Sequence, residues 1–146
     1  PGAKEFIEHA TRQGVAVIYL SARRESLRDC TTRNLQAHGL PLPAQDRLLL
    51  NDGTPSTGKT QQRADMAAQY RILLLVGDNL NDFVSDSRTD PDTRRALVKE
   101  YAARWGREWI ILPNPMYGNW ETSLYEYDYS LPRDERLDRL LHQLEQ

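Results

Sequence analysis

The sequence is poor in the residues that thiolate, imidazole and membrane chemistry require. Cys30 is the single cysteine in 146 residues, so no internal disulfide can form and the redox compartment stays open. His9, His38 and His142 are scattered without metal-ligand spacing, which argues against a zinc enzyme. No apolar run approaches the roughly 20 residues that a membrane-spanning helix needs. No basic stripe stands out and the net charge is −2, which argues against a nucleic-acid-binding surface. Repeats and low-complexity linkers are absent, and the length suits one domain, residues 1–146, with a real core. Pro1 rather than Met opens the chain, so the lack of a signal peptide says nothing about export, and removal of an upstream segment is expected.

What is there alternates between helix and strand. Ala3 to Gln13 carries Phe6, Ile7 and Ala10 on one face, and Gly14 offers a C-cap. Val15 to Leu20 reads as a solidly apolar strand ending on Ser21. Ser26 to His38 places Leu27, Cys30, Asn34 and Leu35 at helical spacing, which makes Cys30 a core residue. Arg47 to Leu50 is a short strand, Asn51 to Gly58 a turn-rich loop, and Lys59 to Tyr70 a helix. Thr93 to Trp105 is a helix burying Leu97, Val98 and Tyr101, and Trp109 to Leu112 is a last strand. Leu137, Leu140, Leu141 and Leu144 give a C-terminal helix its apolar stripe. The alternation predicts an α/β layered domain with a parallel sheet flanked by helices and right-handed crossovers.

The most informative stretch is Leu73-Leu-Leu-Val-Gly-Asp-Asn-Leu-Asn-Asp-Phe83. Its uncharged apolar run reads as a strand buried on both faces, as in parallel sheets. Such sheets carry their chemistry just beyond the carboxyl ends of the strands. Asp78 falls at that end, and Asp82 lies about one helical turn further on, on the same side. Two hard oxygen ligands there suit Mg²⁺. The same residues also suit a plain helix cap, made by Asp78 and Asn79.

Gly53-Thr-Pro-Ser-Thr-Gly-Lys-Thr60 points elsewhere, because it fits the phosphate-binding P-loop pattern without a mismatch. On that reading, backbone N–H groups around Gly58 cradle phosphates and Lys59 reaches the terminal ones. Against it, Arg47 to Leu50 is short for the centre of a nucleotide-binding sheet. It also leaves Ser21-Ala-Arg23 and Pro113 to Glu121 without a role.

Four features in order resemble the haloacid dehalogenase (HAD) superfamily of phosphohydrolases. They are Val17-Ile-Tyr-Leu-Ser-Ala-Arg23, Lys59 with Gln61-Gln62-Arg63, Gly77-Asp-Asn-Leu-Asn-Asp-Phe83, and Leu112-Pro-Asn-Pro-Met-Tyr-Gly-Asn-Trp-Glu121. Within the superfamily the chain is similar to the class C acid phosphatases, which include outer-membrane lipoprotein phosphatases and 5′-nucleotidases. The opening Pro1-Gly-Ala-Lys-Glu-Phe6 also resembles the family's stretch before the second strand. The resemblance implies a HAD-like Rossmannoid fold and Mg²⁺-dependent hydrolysis of phosphomonoesters, nucleotide or aryl, through an aspartyl-phosphate. It implies that Ser21 donates its hydroxyl and nearby N–H to a phosphate oxygen, with Arg23 of the same motif contacting substrate. Lys59 neutralises charge as the phosphoryl group and nucleophile approach. Asp78 binds Mg²⁺, and Asp82 joins it at the metal, supports the site from beside it, or holds Lys59. Tyr117 matches an aromatic near the substrate, where a ring can stack on a base or aryl group. Ala22 departs from the family's usual Asn. A periplasmic or outer-membrane lipoprotein location follows from the resemblance alone.

One family motif is missing, the strand ending in D-x-D whose first Asp attacks phosphorus. Asp90-Pro91-Asp92 has the letters but follows polar residues. The nucleophile and the central strand of the sheet are therefore expected upstream of Pro1, and the chain alone is expected to be inactive. Bare apolar edges at Val15 to Leu20 and Leu73 to Val76 invite pairing with upstream residues, with a second copy of the chain as a homodimer, or with each other. A P-loop nucleotide-binding protein and a non-catalytic fragment stand as the competing readings.

Overall fold

The computed structural model describes residues 2–42, 44, 47–54 and 59–144. It is an α/β structure whose strands pair in parallel and are flanked by helices. The chain divides into two compact units, Pro1–Met66 and Ala67–Gln146, described in turn.

The first unit holds α1 (Ala3–Arg12), β1 (Tyr19–Arg24), α2 (Arg28–Ala37), β2 (Leu48–Asn51) and the start of α3 (Lys59–Gln69). β1 and β2 form a two-stranded parallel sheet. Leu48 and Leu50 of β2 are buried while Leu49 and Asn51 between and after them are half-buried, the period-two signature of a strand with one face on a core. Side chains tie the helices to β2. The Arg28 guanidinium donates to the Leu48 carbonyl at 2.9 Å, and the Gln62 amide of α3 donates to the Leu50 carbonyl at 3.0 Å.

β1 is displaced from the expected Val15 to Leu20: it starts at Tyr19 and does not stop at Ser21. It continues to Arg24, and its register breaks after Leu20. Tyr19 and Leu20 pair with Leu48 and Leu49, and pairing resumes at Arg24 with Asn51. Ser21, Ala22 and Arg23 thus stand opposite the single residue Leu50. This bulge re-aims the side chains at the strand's end, the usual place for such a device.

The expected helix over Ser26 to His38 is a 3₁₀ turn, Glu25–Leu27, followed by α2. The tighter turn shifts the helical phase. Leu27 and Cys30 consequently face outward, while Thr31 is buried and Leu35 half-buried. Cys30 is therefore exposed rather than a core residue.

The second unit holds the rest of α3, β3 (Leu75–Gly77), α4 (Pro91–Glu100), β4 (Trp109–Ile111), α5 (Asn119–Ser123) and α6 (Arg133–Leu144). β3 and β4 pair in parallel, Leu75 with Trp109, Val76 with Ile110 and Gly77 with Ile111. Leu80, Phe83, Val84 and Trp109 make the core, with Leu75, Leu97, Tyr101 and Trp105 packed against it. Phe83 sits 5.1 Å from the Trp105 ring and 5.6 Å from the Trp109 ring, centroid to centroid. Contacts of this kind add about 0.5–1.5 kcal/mol each beyond their buried area. They anchor the far end of the loop that follows β3.

That core covers one face of β3 only. Leu75 turns toward it, whereas Val76 is 49% exposed, so the strand is not buried on both faces as expected. α4 starts earlier than the apolar periodicity implied, because Asp90 caps it and Pro91 occupies its first turn. It buries Arg94, which donates to the Ser87 carbonyl, and leaves Val98 exposed. Leu137 and Leu141 of α6 are also exposed; the side chain of Leu144 lies outside the described residues.

Candidate active site

The loop after β3 is built around one carboxylate that stays open and one that does not. β3 ends at Gly77, whose carbonyl accepts the Leu112 N–H at 2.7 Å. Asp78 follows, exposed at the carboxyl end of the strand. Asn79 caps a 3₁₀ turn, Leu80–Asp82, which leads into buried Phe83. Asp82 completes a capping box: its Oδ2 accepts the N–H of Asp78 at 3.0 Å and of Asn79 at 3.1 Å. Asp82 therefore braces the loop that carries Asp78.

Asp78 is oriented from the segment after β4. The Asn114 side-chain amide donates to Asp78 Oδ2 at 2.8 Å. The amide oxygen of Asn114 accepts the N–H of Met116 at 3.1 Å and of Tyr117 at 3.4 Å. Tyr117 and Met116 are 70% and 79% exposed, so both side chains are free to meet a ligand. Gly118 closes the turn with φ at 150°, and a side-chain carbon there would fall 2.9 Å from the Asn79 amide nitrogen. Only glycine fits both demands.

In the first unit the β1 bulge brings Ser21 and Arg23 together. Ser21 Oγ accepts the Arg23 N–H at 3.2 Å, which leaves the hydroxyl proton free to donate elsewhere. The Arg23 guanidinium reaches Thr31 Oγ1 at 3.5 Å, a long contact. Lys59 is the first residue of α3 and is half-buried.

Asp78 and Asp82 thus come together with Asn114 and Tyr117, while Ser21 and Arg23 form a separate pair. Asn114 was not singled out from the sequence. Its signal was its place in the quoted Leu112–Glu121 segment, between Pro113 and Pro115. Residues 55–58 of the P-loop pattern, Gly58 included, lie outside the described residues. Asp90 Oδ1 accepts the Thr93 N–H at 2.9 Å as a helix cap, so Asp90-Pro91-Asp92 is not a strand-end motif. A hollow of about 470 Å³ in the second unit is lined by Leu80, Val98, Trp120 and Leu124 among others, but not by Asp78, Asn114 or Tyr117. It is not the site described above.

The parallel α/β fold, with Asp78 braced at a strand end, is the frame in which the comparisons are read. Residues 1–120 match the family model of the HAD superfamily, subfamily IIIB (acid phosphatase), and the chain belongs to that family. It is similar to the class C acid phosphatase from Bacillus anthracis, at 33% identity and a TM-score of 0.89 over 97% of this chain and 59% of that one. The crystal structure of class C acid phosphatase from Bacillus anthracis with tungstate bound matches at 34% identity and 0.89, over 98% and 60%. The chain thus spans less than two thirds of the length of both. The fold expectation and the family resemblance both hold, and nothing in these comparisons favours the P-loop reading.

Proposed function

We infer that this chain supplies part of a Mg²⁺-dependent phosphomonoesterase of the acid phosphatase type. The observation that carries the reading is the Asp78 carboxylate, exposed at the end of β3, turned by Asn114 and mounted on a loop that Asp82 braces.

The donor set fits a hard divalent cation. Asp78 receives a hydrogen bond on Oδ2 from a neutral amide, and no second bond to its carboxylate is seen among the described residues. Mg²⁺ is commonly held by one or two carboxylates together with water and substrate phosphate oxygens. Among the described residues no three His, Cys, Asp or Glu side chains cluster to hold a metal, so Asp78 would share the ion with groups supplied from elsewhere. Mg²⁺ bound there would offset the charge on the phosphoryl oxygens. The Oδ2 of Asp82 is committed to two N–H groups, which makes Asp82 a brace for Asp78 on this reading.

The remaining roles rest on the family motifs and on local geometry. Ser21, whose oxygen is engaged by the Arg23 N–H, donates its proton to a phosphate oxygen. Lys59 presents its ammonium to the phosphoryl group as negative charge builds. Arg23 contacts the substrate, and the exposed Tyr117 ring stacks on a nucleobase or aryl leaving group. By the family resemblance the nucleophile is the first Asp of a strand-end D-x-D, a motif that ends no strand among the described residues. Its carboxylate oxygen bonds to phosphorus as the ester oxygen leaves with a proton from an acid, and water then hydrolyses the acyl phosphate. By the same resemblance the enzyme works in the periplasm or as an outer-membrane lipoprotein.

The test is a chromogenic aryl phosphate assayed with the complete polypeptide, with Mg²⁺ and with a chelator, beside residues 1–146 alone. Chelator-sensitive turnover by the complete protein and none by residues 1–146 is the expected result. Robust turnover by residues 1–146 that Ser21→Ala removes would place the nucleophile in this chain and overturn the reading.

A further inference from the structure

We propose that Asn114 is a positioning residue that couples the metal ligand Asp78 to the turn bearing Tyr117. This rests on the reading of Asp78 as the metal ligand. The two ends of one amide do different work. The NH₂ end holds Asp78 Oδ2 at 2.8 Å, and the oxygen end gathers the N–H of Met116 at 3.1 Å and of Tyr117 at 3.4 Å.

The amide orientation has one satisfactory solution. Flipped, it would set its oxygen against a carboxylate and its NH₂ against two N–H donors, repulsive at both ends. The backbone is restricted as well. Pro113 precedes Asn114 and Pro115 follows it, and a residue before proline is held to extended conformations. A stiff backbone thus presents one amide to two structures. A bond from NH₂ to Oδ2 directs the other oxygen of Asp78 toward a cation, as partners of metal-binding carboxylates commonly do.

The two structures carry the two halves of the reaction's demands. On the reading proposed above, Asp78 serves the metal, and the exposed Met116–Tyr117 turn serves the group that leaves. Asn114 is the single side chain hydrogen-bonded to both among the described residues. Order in the turn and orientation of the carboxylate therefore depend on the same amide, and losing it disturbs both at once.

The experiment uses the complete enzyme and measures Mg²⁺ binding by calorimetry together with amide hydrogen exchange at Met116 and Tyr117 without metal. Asn114→Ala should weaken Mg²⁺ binding by roughly 10–100-fold and speed exchange at both amides. Saturating Mg²⁺ should restore kcat but leave KM for an aryl phosphate raised. Asn114→Ser gives the second reading should the alanine variant fold poorly. A hydroxyl can still gather local N–H groups but is too short to reach Asp78, so Mg²⁺ binding should fall while more of the amide protection survives. Unchanged Mg²⁺ affinity in both variants, with Asp78→Asn abolishing binding, would overturn the coupling alone. Binding that survives Asp78→Asn would instead overturn the metal-site reading beneath it.

Discussion

A side-chain carbon placed on Gly77 would fall 2.5 Å from both the Cβ and Oδ2 of Asp82. Asp82 lies directly over the glycine because its carboxylate must reach the N–H groups of Asp78 and Asn79. Gly77→Ala should therefore push Asp82 off the loop. A destabilisation of about 1–3 kcal/mol is expected, the usual scale for overpacking, read from urea denaturation. An unchanged midpoint would mean that the loop yields without cost.

Asp82→Ala removes the acceptor and leaves Gly77 room. Two backbone N–H groups lose their partner, which costs on the order of 1 kcal/mol. If Asp78 is the metal ligand proposed above, Mg²⁺ affinity should fall without being abolished, since Asp82 only braces the loop that carries it. Asp82→Asn keeps an acceptor oxygen and should retain more affinity than the alanine variant. Equal, complete loss in both would instead make Asp82 a direct ligand.

Lys59→Met in the complete enzyme should lower kcat by roughly two orders of magnitude and change KM far less. On the proposed reading, its contact with the phosphoryl group strengthens as charge builds toward the transition state. Steady-state kinetics on an aryl phosphate separates the two effects. A raised KM with intact kcat would assign Lys59 to ground-state binding only.

Asp90 caps α4, and the Thr93 hydroxyl and N–H hold its carboxyl well below the usual aspartate value, down to about 2. The folded value is depressed, so its contribution to stability is present above the unfolded pKa of about 3.9. It is lost as pH falls through about 2. Asp90→Ala should lower the melting temperature at neutral pH and flatten the decline in stability across that acid window. A wild-type slope retained in the variant would contradict the cap's role.

The last three strands and most helices are legible because each joins a pattern to a boundary, whereas β1 shares only Tyr19 and Leu20 with the apolar run read as its strand. Leu75–Gly77 stands out by its apolar run, and Lys59–Gln69 by its clean helix-forming composition. What escaped depended on partners distant in sequence or on changes of phase. The bulge at Ser21 arises from pairing with β2, which no local pattern reports. Cys30 looked like core because the 3₁₀ turn before α2, which resets the phase, leaves no mark in the spacing. Asp90-Pro91 carries a legible cap and first-turn signal, which its likeness in letters to D-x-D obscures. Asp78 was visible as a strand-end carboxylate. Asn114, 36 residues away, could be tied to it only in three dimensions.

The proposed role of Asp78 as metal ligand is addressed most directly by one substitution in the complete enzyme. Asp78→Asn keeps the shape of the side chain and still accepts the Asn114 amide through its oxygen, so the fold and melting temperature should hold. Mg²⁺-dependent hydrolysis of an aryl phosphate should be abolished, and calorimetry should detect no Mg²⁺ binding. Turnover with the same Mg²⁺ dependence as the parent enzyme would contradict the account.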